Sequence, residues 1–320
     1  MTYAVWIPLL LPLLLPAAAS VARWEVLADG MSPRRAVWLF TVTAVVLGGT
    51  TVAALALLVG GGLVQLPVVA VLGDYTPAAV REGALADRPM IGVLAAVVLT
   101  AALLSLARTG WVLWRDLVDA RRLGPVSPGG TELAVVVDES AIAYALPGRP
   151  SRVVVSTAML RALDVDEREV LFAHERAHLA GGHHFFLAAV ELAVAVNPAL
   201  RPFRTVVAYG LERWADETAA AAVADRRPAA RALARAALAA HTGPRRSRLA
   251  LSVVSGPMPR RVAALLAPTP QRRNPTARVA AILLAGCVTI TSLGVADAAH
   301  DLHGNVETAR DTAASPSGSR

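Results

Sequence analysis

The chain has 320 residues, is 55% hydrophobic and carries a net charge of +7. The length exceeds a typical single soluble domain, and the apolar excess gathers in a few Leu/Val/Ala runs that read as membrane spans. All the basic charge is arginine, placed beside apolar runs without aromatic interleaving, which argues against direct nucleic-acid binding. The single cysteine, Cys287, excludes an intrachain disulfide framework and a cysteine-based metal site.

The first apolar run, about residues 3–22, is interrupted by Pro8, Pro12 and Pro16. Cleaved signal peptide and retained span are both open readings, and the lack of a positive charge before the run favours the span. Arg23, Arg34 and Arg35 mark the next loop, and a second span is predicted over 36–59. The Gly/Pro-broken stretch 60–89 carries both signs of charge, and a third span follows over 90–107. Trp111, Trp114 and Arg115 then read as interfacial anchors. A fourth span is predicted over 279–296, with a disordered tail over 297–320. Arginine accumulates on the cytoplasmic side of spans. The distribution therefore puts both termini outside and residues 108–278 in the cytoplasm.

Within that long segment, 131–138, 141–146 and 152–156 are β-rich, with a turn at Pro147-Gly148-Arg149-Pro150. A small sheet or hairpin is predicted. A helix follows, with Asp166 as N-cap, Glu169 completing a capping box, Val165 and Val170 as a staple, and Gly181-Gly182 closing it. Residues 185–196 are apolar but short, contain Glu191 and end at Asn197-Pro198. They read as a buried or membrane-surface helix rather than a crossing. Another helix is predicted over 204–224. A Pro/Arg/Ser connector follows over 242–275, with one short helix around 262–266.

The chemistry concentrates in His174-Glu175-Arg176-Ala177-His178, an H-E-x-x-H run on the capped helix. On a helix, residues four apart share a face, so both imidazoles can reach one metal ion and Glu175 can reach its water. Catalytic zinc takes about three protein ligands and keeps a fourth position open. Glu212 is the predicted third ligand, and Asp216, one turn on, can accept the free N–H of a ligand histidine. Glu175 is the candidate general base of a peptide hydrolase. Against this stands a bland reading of Glu212 and Asp216 as surface partners of Arg213 or Arg204. For His183 and His184 the readings are alternative ligand, electrophile, or helix-end histidines facing water, the last being favoured. Glu217 reads as solvent-facing.

Several further stretches carry a family likeness: Ala145-Leu146-Pro147-Gly148, Val153-Val154-Val155-Ser156, Glu169 through His178, Asn197-Pro198, and Glu212-Arg213-Trp214-Ala215-Asp216. The chain resembles the membrane-embedded gluzincin peptidases, most closely the β-lactam signal transducers of the BlaR/MecR type and more widely the HtpX and CAAX-prenyl-protease type. The resemblance implies one Zn2+ per chain held by His174, His178 and Glu212, with Glu175 as catalytic base and Asp216 behind the ligands. It also implies an extended protein or peptide substrate, such as a cytoplasmic transcriptional repressor, added to a sheet edge. The transducers carry a penicillin-binding domain after the last span. This chain stops soon after its own, so a direct antibiotic sensor is not expected.

The expected fold is mainly α. It has three spans in 1–107, a zincin-like α+β metalloprotease domain with a small sheet in 108–278, and the fourth span. The expected function is a regulatory, multi-pass zinc endopeptidase of the cell membrane. A quality-control protease and a non-catalytic transducer keeping the zinc fold are the rivals; the intact Glu175 argues against the latter.

Overall fold

The structure is a computed structural model and describes residues 30–75, 89–123, 132–148, 150–241, 258–267 and 275–314. The first predicted span, 3–22, lies outside these residues. The protein is mainly helical with one three-stranded sheet. Three described helices are long and apolar enough to cross a membrane: α1 (Pro33–Leu63), α3 (Pro89–Leu123) and the last helix, α10 (Pro275–Ala314). A short α2 (Pro67–Leu72) follows α1. At 1.5 Å per residue the 31 residues of α1 extend about 46 Å, more than the hydrocarbon core requires.

The long helices have a consistent direction. Gly62 of α1 and Gly92 of α3 approach closely where the chain turns back, so α1 and α3 run antiparallel. Leu284 joins the cluster around Phe40 and Leu47, Leu302 lies by Gly60, and Ala309 packs with Ala70, so α10 runs parallel to α1. The start of α1, the end of α3 and the start of α10 thus lie toward one end, where the rest of the protein sits. Helix α10 stays helical through Ala314, so most of the tail expected to be disordered from 297 is ordered.

The sheet comprises β1 (Leu133–Val136), β2 (Ala143–Leu146) and β3 (Arg152–Ser156) in the order β1-β3-β2. It is mixed: β1 runs parallel to β3, and β2 pairs with β3 as an antiparallel hairpin. β2 is therefore an edge strand. Ser156 caps α4 (Thr157–Ala162) through a hydrogen bond from the Met159 N–H.

Helix α5 (Val165–Ala180) carries the H-E-x-x-H run. Its capping box is Asp164 with Glu167, two residues before the predicted Asp166 and Glu169. Both pairs have the same spacing. The buried, extended Leu163 fixes which one marks the helix start. Leu163 and Arg168 then hold the staple positions, so the predicted Val165/Val170 staple does not form.

Gly182, with φ of 62°, turns the chain by 56° into α6 (His183–Val196). Helix α6 packs on α1 and α3. It ends at Asn197, whose side chain donates to Thr51 of α1 and accepts from the Ala199 N–H. A single 3-10 turn, Pro198–Leu200, then feeds α7 (Arg201–Ala222), which returns along α1 to the end of α5. The α6–α7 corner therefore reverses the direction of the chain along α1. Phe40, Leu47, Val190, Leu200, Phe203, Leu211 and Leu284 form one core seam joining the long helices to this domain.

Helix α8 (Arg226–His241) covers α5 from the other side. Helix α9 (Met258–Leu266) begins four residues earlier than expected and docks on α8 and α7. Arg226 donates to the carbonyls of Ala264 and Leu265 and so closes the C-terminus of α9.

Candidate metal centre

Two helices build the site. Helix α5 presents His174, Glu175 and His178, and α7 presents Glu212 and Asp216, one turn apart on the face turned to α5. All five are buried. The Nε2 atoms of His174 and His178 are 3.2 Å apart. Glu212 Oε2 is 3.8 Å from His174 Nε2, and Glu212 Oε1 is 3.7 Å from His178 Nε2. Each of the three offers a ligand atom, and these atoms lie within 4.8 Å of one another. Ligand atoms about 2.0–2.1 Å from a tetrahedral ion sit roughly 3.3 Å apart, close to the spacing of the two imidazole nitrogens. Both oxygens of the Glu175 carboxylate are buried without a hydrogen-bond partner, as a group awaiting water or substrate would be. The donor set, two nitrogens and a carboxylate, suits zinc.

Each of the three ligand candidates is backed by another buried side chain. His174 Nδ1 lies 3.1 Å from Asp216 Oδ1, which turns Nε2 toward the other two. His178 Nδ1 is 2.7 Å from His183 Nδ1, so His183 does for His178 what Asp216 does for His174. His183 is fully buried, edge-on to His178 and against the ring of Trp214, over which the Arg34 guanidinium lies. The expectation that His183 faces water is thus corrected. Residue 181 shows why: a Cβ there would fall 2.5 Å from His183 Nε2, so glycine lets the ring fold back under the helix end. His184, next along, is only partly buried.

The third backing group, Arg261 of α9, was not singled out in the sequence. Its Nη1 is 2.7 Å from Glu212 Oε2, Nη2 donates to Asp216 Oδ1 at 2.6 Å, and Nε donates to Oδ2 at 2.8 Å. It is the largest fully buried side chain among the described residues. The partners of Glu212 and Asp216 are therefore His174, His178 and Arg261, rather than Arg213 or Arg204. No local pattern announces this, because one arginine among many in a Pro/Arg/Ser connector reaches the site only through tertiary packing. Glu217 is also not solvent-facing; it pairs with Arg226 and Arg213.

The electrostatics follow from burial and these pairs. Burial raises the Glu175 pKa to about 7, with the positive His174 and Arg261 pulling the other way. Burial also raises Glu212, against the same two cations. For Asp216 burial would act upward, but Arg261 and His174 prevail and hold it at about 2. Burial pushes His178 well below the usual histidine range and brings His183 to about 3, so both are neutral imidazoles at ordinary pH. His174 is desolvated as well, yet its bond to Asp216 and the nearby carboxylates raise it. Metal binding at His174 therefore competes with its protonation.

The edge strand β2 lies beside this centre, packed against α5. The Ile142 carbonyl accepts from the Ser156 N–H, so alternation along the ladder points the backbone groups of Ala143 and Ala145 outward. The outward Ala145 N–H lies near the Glu175 carboxylate and pulls its pKa down slightly, without closing a full hydrogen bond.

Residues 120–200 match the model of Peptidase family M48. The match covers the sheet and the H-E-x-x-H helix and stops before Glu212. It supports a zincin-type, metal-dependent peptidase. Peptidases of this family are typically zinc-dependent, in keeping with the His-His-Glu cluster. Comparison with curated proteins and with solved structures gave no match.

Proposed function

We propose that the protein is an integral-membrane zinc endopeptidase in which His174, His178 and Glu212 hold the metal and Glu175 is the general base. The observation that carries this reading is the convergence of the three ligand candidates from two helices, with the buried Glu175 carboxylate beside them. When bound there, zinc would polarise the scissile carbonyl and acidify the attacking water. A substrate strand adds to the outward backbone groups of Ala143 and Ala145, which sets its carbonyl at the site. Glu175, held near neutrality by its dry surroundings, takes the proton of the attacking water and passes it to the leaving amine. Asp216, His183 and Arg261 keep the ligand side chains oriented.

The biological role follows the resemblance to the transducers: a regulatory protease of the cell membrane, with its site in the cytoplasm and a soluble repressor or signalling protein as substrate. The arginine-rich segments at the C-terminal end of α3 and before α10 support that sidedness. The test is a quantitative proteome comparison of cells carrying wild type and Glu175→Gln. One or two stabilised cytoplasmic proteins are expected. Many accumulating membrane-protein fragments would replace regulation by quality control, and an unchanged proteome would reject a proteolytic role.

A further inference from the structure

A cavity of about 620 Å³ opens at the far end of the edge strand. Leu146, Pro147, Gly148, Pro150 and Arg152 form one wall, and Leu179 and the largely exposed Phe185 add apolar surface. Arg121, from the end of α3, and His184, from the start of α6, face it from the other side. None of the described lining residues is acidic. The Arg121 stem passes over the turn, its Cγ 3.9 Å from where a Cβ on Gly148 would stand. Its charge is felt at His184, whose pKa is lowered by burial first and by Arg121 second.

The strand geometry connects this cavity to the metal centre. Ala143 and Ala145 offer outward backbone groups, and the next outward position is Pro147, which has no N–H to give. Strand pairing with a substrate therefore stops there. The substrate backbone advances about 3.3 Å per residue, so its side chains reach the cavity roughly two to three residues from the bond facing Glu175. A pocket with apolar surface from Leu179 and Phe185 and the forked Arg121 across from the turn matches a carboxylate, which a guanidinium can grip through two parallel hydrogen bonds.

We infer that this cavity is a substrate subsite that selects an acidic side chain, an aspartate or glutamate, two to three residues from the cleaved bond. The inference rests on the peptidase reading above and deepens it by naming a substrate feature. Arg121 binds the carboxylate, His184 adds a neutral donor, and Pro147 ends the backbone pairing so that the side chain can turn in. Arg121 belongs to the helix that leaves the membrane, so the subsite is anchored at the bilayer side of the domain.

The test uses the zinc-loaded full-length protein in detergent micelles and a proteome-derived peptide library, with cleavage sites read by mass spectrometry. Wild type, Arg121→Glu, Arg121→Gln and Glu175→Gln are compared. Wild type should show acidic residues enriched at one fixed position near the cut. Both Arg121 variants should lose that enrichment. For a matched peptide pair, kcat/KM on the acidic peptide should fall about tenfold in Arg121→Glu, as for loss of a charged hydrogen bond. The glutamine-substituted peptide should change less than about twofold. Cleavage that Glu175→Gln abolishes but that shows no acidic preference would overturn the subsite and leave the peptidase intact. No cleavage by wild type would overturn both. If instead both Arg121 variants cut every peptide more slowly, and only wild type gains rate from vesicles containing an anionic phospholipid, the cavity holds a lipid headgroup and the inference falls.

Discussion

Replacing Arg261 by methionine isolates the electrostatic logic of the centre. The guanidinium makes two bonds to Asp216 and one close approach to Glu212, and its side chain is 1% exposed. Methionine keeps the stem's bulk and removes the charge, leaving two buried carboxylates facing each other. Breaking a buried pair in this way costs about 3–5 kcal/mol. In a domain of this size that lowers the melting temperature by roughly 10 °C. A divalent ion beside Glu212 supplies positive charge from the other side, so the loss should be clearly smaller in the zinc-loaded protein. The pH dependence has a definite sign. Arg261 holds Asp216 at about 2, below its usual 3.8, so the stabilisation is full above 3.8 and disappears as pH falls toward 2. The assay is thermal unfolding in micelles with and without chelator, read from tryptophan fluorescence, since Trp214 adjoins the site. An equal loss in both metal states, or no loss in either, would refute the reasoning.

Gly181→Ala should displace His183 and, with His183→Ala, weaken zinc binding roughly 10–100-fold, whereas His184→Ala should leave it unchanged; competition with a chromophoric chelator measures this. Glu175→Gln should stabilise the chelator-treated protein. The Glu175 pKa is raised from 4.5 to about 7, so its protonated form is favoured below 4.5 and stability is lost as pH rises through about 7. The gain should approach roughly 3 kcal/mol at pH 8 and vanish near pH 4, and a pH-independent gain would contradict the burial account. Asp164→Ala should cost about 1 kcal/mol through loss of the capping box while Asp166→Ala changes little, as chemical denaturation would show.

Local patterns carried much of the fold. The β-rich runs, the Gly181-Gly182 stop and the apolar runs at 36–59, 90–107 and 279–296 all correspond to elements of the structure, because each depends on neighbours in sequence. The helix start slipped by two residues because two Asp-x-x-Glu pairs overlap, and only the buried Leu163 selects between them. The spacing of His174, His178, Glu212 and Asp216 was legible, since helical periodicity puts each pair on one face. Arg261 and His183 were not. Arg261 comes from a separate helix, 45 residues beyond Asp216, and its role appears only when α9 docks. His183 looked like a helix-end residue, and it turns inward because Gly181 leaves room for its ring.

Metal content and peptide hydrolysis measured together on one preparation test the centre most directly. Purified wild type should hold one zinc per chain by elemental analysis and cleave peptides. Glu175→Gln should keep the metal and lose cleavage, and His178→Ala and Glu212→Ala should lose the metal. A wild-type protein that binds no zinc, or a Glu175→Gln variant that still cleaves, would contradict the assignment of these residues.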